Sequence, residues 1–212
     1  MYAPPHFAES DPQVLRDAVR SIRAGHLVTS GTDGMEASFV PLLISDDASV
    51  VTGHLARANP QWRRADATVE ALVTWVGPDA YVSPGYYPSK AEHGKVVPTW
   101  NFIAVQARGR LTFHEDVEWT RAQVSALTRF HEEGRPAPWA VTDAPADYVD
   151  SMLRGVVGFE VRVTTIEGKW KLSQNRGGDD VAGVVAGLAA FGPGSPEAMV
   201  ASAMVEVAAR NP

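Results

Sequence analysis

Val157, Phe159, Val161 and Val163 alternate with Gly158, Glu160, Arg162 and Thr164, the period of two expected of a strand with one buried face. A strand is therefore predicted over residues 156–166. The same reasoning predicts strands over 26–30, 36–44, 49–52, 68–76 and 99–114, with Thr32-Asp33-Gly34 as a turn and Gly109 as a bend. Pro41 interrupts the run Phe39-Val40-Pro41-Leu42-Leu43-Ile44, and a proline cannot donate to a ladder, so an edge or a bulge is expected there.

Helical spacing marks other stretches. Val14, Leu15, Ala18, Val19 and Ile22 share one face behind Pro12, and Gly25 closes that helix. Further helices are predicted over 117–133, 145–153, 179–190 and 195–210. Residues 77–98 carry prolines, glycines and tyrosines without a period, the mark of a functional or mobile insertion. Six or seven strands joined mostly by short turns, without βαβ alternation, predict a mainly β (α+β) fold, an antiparallel Greek-key barrel with peripheral helices. No repeat or linker divides the chain, so one domain over 1–212 is expected, with 179–212 as a helical extension.

Composition removes several alternatives. The chain has no cysteine, so disulfides, thiolate nucleophiles and Cys-ligated zinc are excluded. Its six histidines show no i, i+4 pair or other ligand spacing, and no metal site is expected. With 19 Lys plus Arg against 25 Asp plus Glu the formal charge is −6, which disfavours nucleic acid yet allows a local basic pocket for a small anion. The N-terminal residues show no basic segment leading into an apolar run, and no run of about 18 apolar residues occurs. A cytoplasmic protein without membrane spans is expected.

Four polar segments carry the candidate chemistry. In Gly53-His54-Leu55-Ala56-Arg57-Ala58-Asn59-Pro60 a strand end is followed by two basic side chains and an Asn-Pro helix start. Such a helix N-terminus beside His54 and Arg57 would suit a phosphate; a plain strand-to-helix turn is the equal alternative. Residues 81–90 bring Tyr81, Tyr86, Tyr87 and Lys90, either a pocket wall for a planar ligand or a proline-kinked surface loop. Trp100 and Asn101 offer a flat apolar face and an amide edge, or simply a core aromatic and a turn residue. Residues 167–178 could place Lys171 and Arg176 against a phosphate or carboxylate, or form a solvated hairpin end.

Taken in order, and with the opening Met1-Tyr2-x-Pro-x-His6-Phe7, these segments resemble the PaiB-type family of FMN-binding proteins, often described as negative transcriptional regulators. The resemblance runs from residue 1 to about residue 188, and the alanine-rich tail beyond it carries no matching motif. It implies a flavin-reductase-like split barrel, related to the pyridoxamine-phosphate oxidase fold, acting as a homodimer with FMN at the subunit interface. His54 and Arg57, with Asn59 nearby, would hold the phosphate; Phe39, Val40 and Pro41 would line the isoalloxazine; Asn101 beside Trp100 would contact the flavin. Lys90 and Gln174-Asn175-Arg176 would close the site from the partner. Tyr86 before Tyr87 departs from the Trp-Tyr order of many members of this family; stacking survives, with a different fit.

Flavin performs its own hydride and electron chemistry, so no protein nucleophile or base is required, and no catalytic residue is assigned. The reading is an FMN-binding protein with oxidoreductase activity and an indirect regulatory role. The alternative is a transcriptional regulator that binds DNA or a protein, with FMN as sensor or structural ligand. Residues 117–133 mix Glu118, Glu132 and Glu133 with Arg121 and Arg129, unlike a basic recognition helix, so direct DNA binding is not expected.

Overall fold

A computed structural model describes residues 1–210. The strands are β1 (Ala8–Glu9), β2 (Ala24–Gly31), β3 (Gly34–Pro41), β4 (Leu43–Ile44), β5 (Val50–Ala56), β6 (Ala71–Val82), β7 (Thr99–His114) and β8 (Val156–Lys171). The helices are α1 (Pro12–Ile22), α2 (Gln61–Arg64), α3 (Ser89–His93), α4 (Val117–Glu132), α5 (Ala146–Arg154), α6 (Gly178–Ala189) and α7 (Pro196–Arg210). One sheet runs β3-β2-β6-β7-β8-β5-β4, with β1 added to β8. Eight strands thus replace the expected six or seven, the additions being the two-residue β1 and β4.

The chain forms two compact units, 12–75 with 106–166 and 1–11 with 76–105 and 167–212. The long strands β6, β7 and β8 contribute residues to both.

In the first unit the β2–β3 hairpin turns where Gly34, at φ +103°, accepts a left-handed backbone that a side chain would strain. Its core is built by alternation: Leu27, Val51, Leu55, Val73, Val157, Phe159 and Val161 are all buried, and Leu15 and Val19 of α1 pack inward. Pro41 does not bulge a continuous strand. It ends β3 at one edge of the sheet, and one residue later the chain enters β4 at the opposite edge. Leu42 spans that step, buried at 2% exposure, with its N–H donated to the Arg23 carbonyl at 2.9 Å. Two residues reach no more than about 7 Å, so the covalent chain draws the two edges together although no ladder joins them. This is the seam of a split barrel.

Two further expectations change here. β5 does not stop at Thr52 but runs on through Gly53, His54 and Leu55 against Phe159, Gly158 and Val157. Gly53 is needed for space: a Cβ there would sit 2.6 Å from the Phe159 ring. Gly109 is likewise no bend, since it lies within β7 where a Cβ would meet the Arg162 carbonyl oxygen at 2.0 Å.

In the second unit Phe7 is buried and β1 pairs with Gly168 and Lys169 of β8, which ties down the N-terminal arm. Val184, Leu188, Val200 and Met204 of α6 and α7 are buried with Leu172 and Tyr87. The expected irregular stretch 77–98 proves more ordered: β6 continues to Val82, a 3₁₀ turn spans Pro84–Tyr86, and α3 follows. Pro78 lies inside β6, beyond residues 72–74 that pair with β2.

Candidate functional site

In the first unit, the three side chains expected to form a phosphate clamp, His54, Arg57 and Asn59, each meet protein partners. Each nitrogen of the Arg57 guanidinium donates to a protein acceptor: Nε to the Arg154 carbonyl at 3.0 Å, one Nη to Glu115 at 2.8 Å, the other to the Val156 carbonyl at 3.3 Å. Its charge is thus answered by Glu115. Asn59 accepts the Gln61 N–H at 3.0 Å and donates to Ser38 Oγ at 2.8 Å. The helix behind it, α2, has only four residues, and Pro60 rather than Asn59 precedes it. His54 meets Gln123 Oε1 through Nδ1 at 2.9 Å, and because that oxygen can only accept, Nδ1 is the donor. The ring lines an apolar cavity of about 230 Å³ with Val124, Trp139, Tyr148 and Met152, which is no place for a dianion.

Arg57→Ala should therefore act mainly on stability. We expect a loss of about 1–2 kcal/mol, discounted for partial exposure, in urea unfolding, with flavin affinity nearly unchanged. An affinity loss of about tenfold or more would restore Arg57 as an anion ligand.

Strand alternation also divides the trio expected to line a ring. Phe39 and Pro41 are exposed, whereas Val40 points to the other side of β3 and is buried. Met35, at 76% exposure, and Phe39, at 67%, continue the outward apolar line, and His26 on β2 tilts against Phe39 with ring centroids 5.1 Å apart.

In the second unit the same rule separates Trp100 from Asn101. Trp100 is half exposed, donates Nε1 to Asp79 at 2.8 Å and meets the Tyr81 ring edge-on. Asn101 is fully buried and exchanges hydrogen bonds with Ser173: its Nδ2 donates to Ser173 Oγ at 3.0 Å, and that hydroxyl is placed to donate back to Oδ1 at 3.2 Å. Ser173 holds φ at +67°, a left-handed conformation rare outside glycine and often found at functional sites.

Beside this pair a cavity of about 130 Å³ is lined by Thr99, Asn101, Lys171, Ser173, Asn175 and Arg176, among others, and by no Asp or Glu. Lys171 donates Nζ to Thr99 Oγ1 and, at 2.6 Å, to the Trp100 carbonyl. Burial, and then repulsion from Lys169 and Arg176, lower its pKa from the ordinary lysine value. Arg176 lies with its guanidinium carbon 4.9 Å above the Tyr87 ring. The Tyr87 hydroxyl is raised in pKa, by burial first, with the Arg176 charge opposing. Gln174 braces the turn by donating Nε2 to the Trp170 carbonyl and accepting the Leu172 N–H, both within 2.8 Å. Lys90 is exposed on α3. Its neighbour Ser89 donates both N–H and Oγ to Asp180, which lowers that carboxyl's pKa.

The structure thus groups Asn101, Asn175 and Arg176 of the expected set. Lys171, Thr99 and Ser173 join them, and of these only Lys171 was signalled by the sequence, through its charge in residues 167–178. No signal marked Ser173 as left-handed. Among the described residues no cluster of three metal-binding side chains occurs, and no helix is long and apolar enough to cross a membrane.

Comparison with known proteins bears on this arrangement. The family profile described as "Putative FMN-binding domain" matches residues 1–165. Protease synthase and sporulation protein PAI 2 of Bacillus subtilis (strain 168) is 32% identical over 187 residues, covering 87% of each chain. The FAD and heme binding protein of Mycobacterium smegmatis superposes with a TM-score of 0.57 at 14% identity, over 82% of this chain and 78% of that one. The flavocytochrome Anf3 of Azotobacter vinelandii gives a TM-score of 0.56 at 13% identity, over 83% and 75%. At such identities these two structures establish a shared fold, the split barrel already visible in the sheet order.

Proposed function

Because the chain belongs to the FMN-binding family matched over residues 1–165, and binds FMN as that family does, we propose that it works as a homodimeric flavoprotein with oxidoreductase activity. The observation that carries the reading is the outward line Met35-Ala37-Phe39-Pro41 on β3. A soluble chain seldom leaves large apolar side chains in a row on a terminal strand. Such a surface suits a planar ring or a second copy of the same face.

The residues present fit the cofactor's chemistry in kind. The cavity lined by Lys171, Asn175 and Arg176 is cationic and free of carboxylates, which suits a phosphate. Bound flavin supplies hydride and electron transfer, while the protein binds and orients it. Fold alone does not decide the substrate, and a regulatory effect would be indirect.

Titration of the purified protein with FMN tests the proposal directly. A saturable change in flavin fluorescence, followed by NAD(P)H-dependent bleaching of the flavin absorbance, is the expected result. Protein that takes up no FMN refutes it. For the dimer, Phe39→Asp should weaken self-association by about tenfold or more, read by sedimentation velocity, because it places a charge in a desolvated patch. Unchanged sedimentation would move the interface away from β3.

A further inference from the structure

We infer that the cavity between Lys171, Arg176 and Asn175 is a preformed site for one compact oxyanion, a terminal phosphate group. Its assignment to the phosphate tail of the flavin rests on the FMN reading above; the oxyanion site itself does not.

The argument is one of donors left over. Lys171 Nζ commits two of its three protons, to Thr99 Oγ1 and the Trp100 carbonyl, and these contacts aim the ammonium without neutralising it. No carboxylate lines the cavity, in contrast to Arg57, whose charge Glu115 already answers. Two like charges beside Lys171, at Lys169 and Arg176, repel it. An anion between Lys171 and Arg176 would relieve that repulsion, and the Asn175 amide adds a neutral donor on the same wall.

Size selects the ligand. At about 130 Å³ the cavity is well below the roughly 300–1,000 Å³ of pockets that enclose whole cofactors. It admits a tetrahedral anion and excludes a tricyclic ring. The wall is also rigid: Asn101, fully buried, locks Ser173 in its left-handed conformation, and the Arg176 N–H is donated to the Ser173 carbonyl at 3.0 Å. The donors are therefore in place before any ligand arrives, which lowers the cost of binding.

The probe is inorganic phosphate, titrated into the full-length protein and followed by the side-chain amide signals of Asn101 and Asn175 in ¹H–¹⁵N spectra. Saturable shifts are expected, weakened by about tenfold or more in Lys171→Met. Should that variant fold poorly by circular dichroism, Arg176→Gln serves in its place. Arg57→Ala should bind phosphate like the parent. Absence of saturable shifts, or equal affinity in a folded Lys171→Met, overturns the proposal. Repeating the titration on FMN-loaded protein separates the sources. Lost phosphate binding assigns the cavity to the flavin tail; retained binding assigns it to a separate anionic substrate. If the protein takes up no flavin, the FMN reading fails while the phosphate titration still decides the cavity.

Discussion

Phe159→Ala should cost about 3–5 kcal/mol, read as a fall in the urea midpoint at unchanged slope. Phe159 is fully buried on β8, directly opposite Gly53 of β5, and its ring fills the space that the missing Cβ leaves. Phe113 meets it edge-on with centroids 6.4 Å apart. Truncation therefore removes the ring and its edge-on contact with Phe113, and leaves a cavity that neither backbone can close, because both belong to a continuous ladder over seven register pairs. A loss below about 1 kcal/mol would mean that the sheet collapses onto the gap. Since β5 also carries His54, the variant should move the His54 and Gln123 resonances as well.

Gln61→Leu should cost about 3 kcal/mol for a different reason. The side chain is 1% exposed, and its Nε2 donates to the Leu27 carbonyl, Thr29 Oγ1 and the Glu36 carbonyl at 3.0–3.2 Å. Its Oε1 accepts from Ser38 Oγ at 2.6 Å. Leucine keeps the volume and removes every one of these contacts, so polar atoms on both strands of the β2–β3 hairpin each lose a partner. That hairpin displays Phe39, so thermal unfolding should show the lost stability and sedimentation a weakening of the proposed self-association in the same variant. Full stability in Gln61→Leu would show that water replaces the lost donor.

What the sequence disclosed, and what it hid, follows from the reach of each interaction. The strand over 99–114 and the helices near 117–132, 146–154 and 196–210 were legible because their apolar periods are local. The length of β5 was not, because Gly53 reads as a turn residue unless one knows that Phe159, over a hundred positions away, needs its space. The family and its cofactor were legible from segments in order. The assignment of individual side chains was less so: consecutive residues such as Phe39 and Val40, or Trp100 and Asn101, were grouped by motif, yet a strand sends them to opposite faces. Arg57 looked free because Glu115 is 58 positions distant, and the Asn101–Ser173 pair is separated by 72.

Leu42 carries a consequence for how this fold can vary. With a single residue linking the two sheet margins, the girth of the barrel is set by chain length and not by pairing energy. Side chains at that point are exchangeable within the limits of packing, but extra backbone is not: slack there would let the margins drift apart and unwrap the layer that α1 covers. Lineages that lengthen this protein are expected to do so elsewhere, at the exposed Asp46-Asp47 corner or the stretch after α4, where added residues leave the circumference untouched.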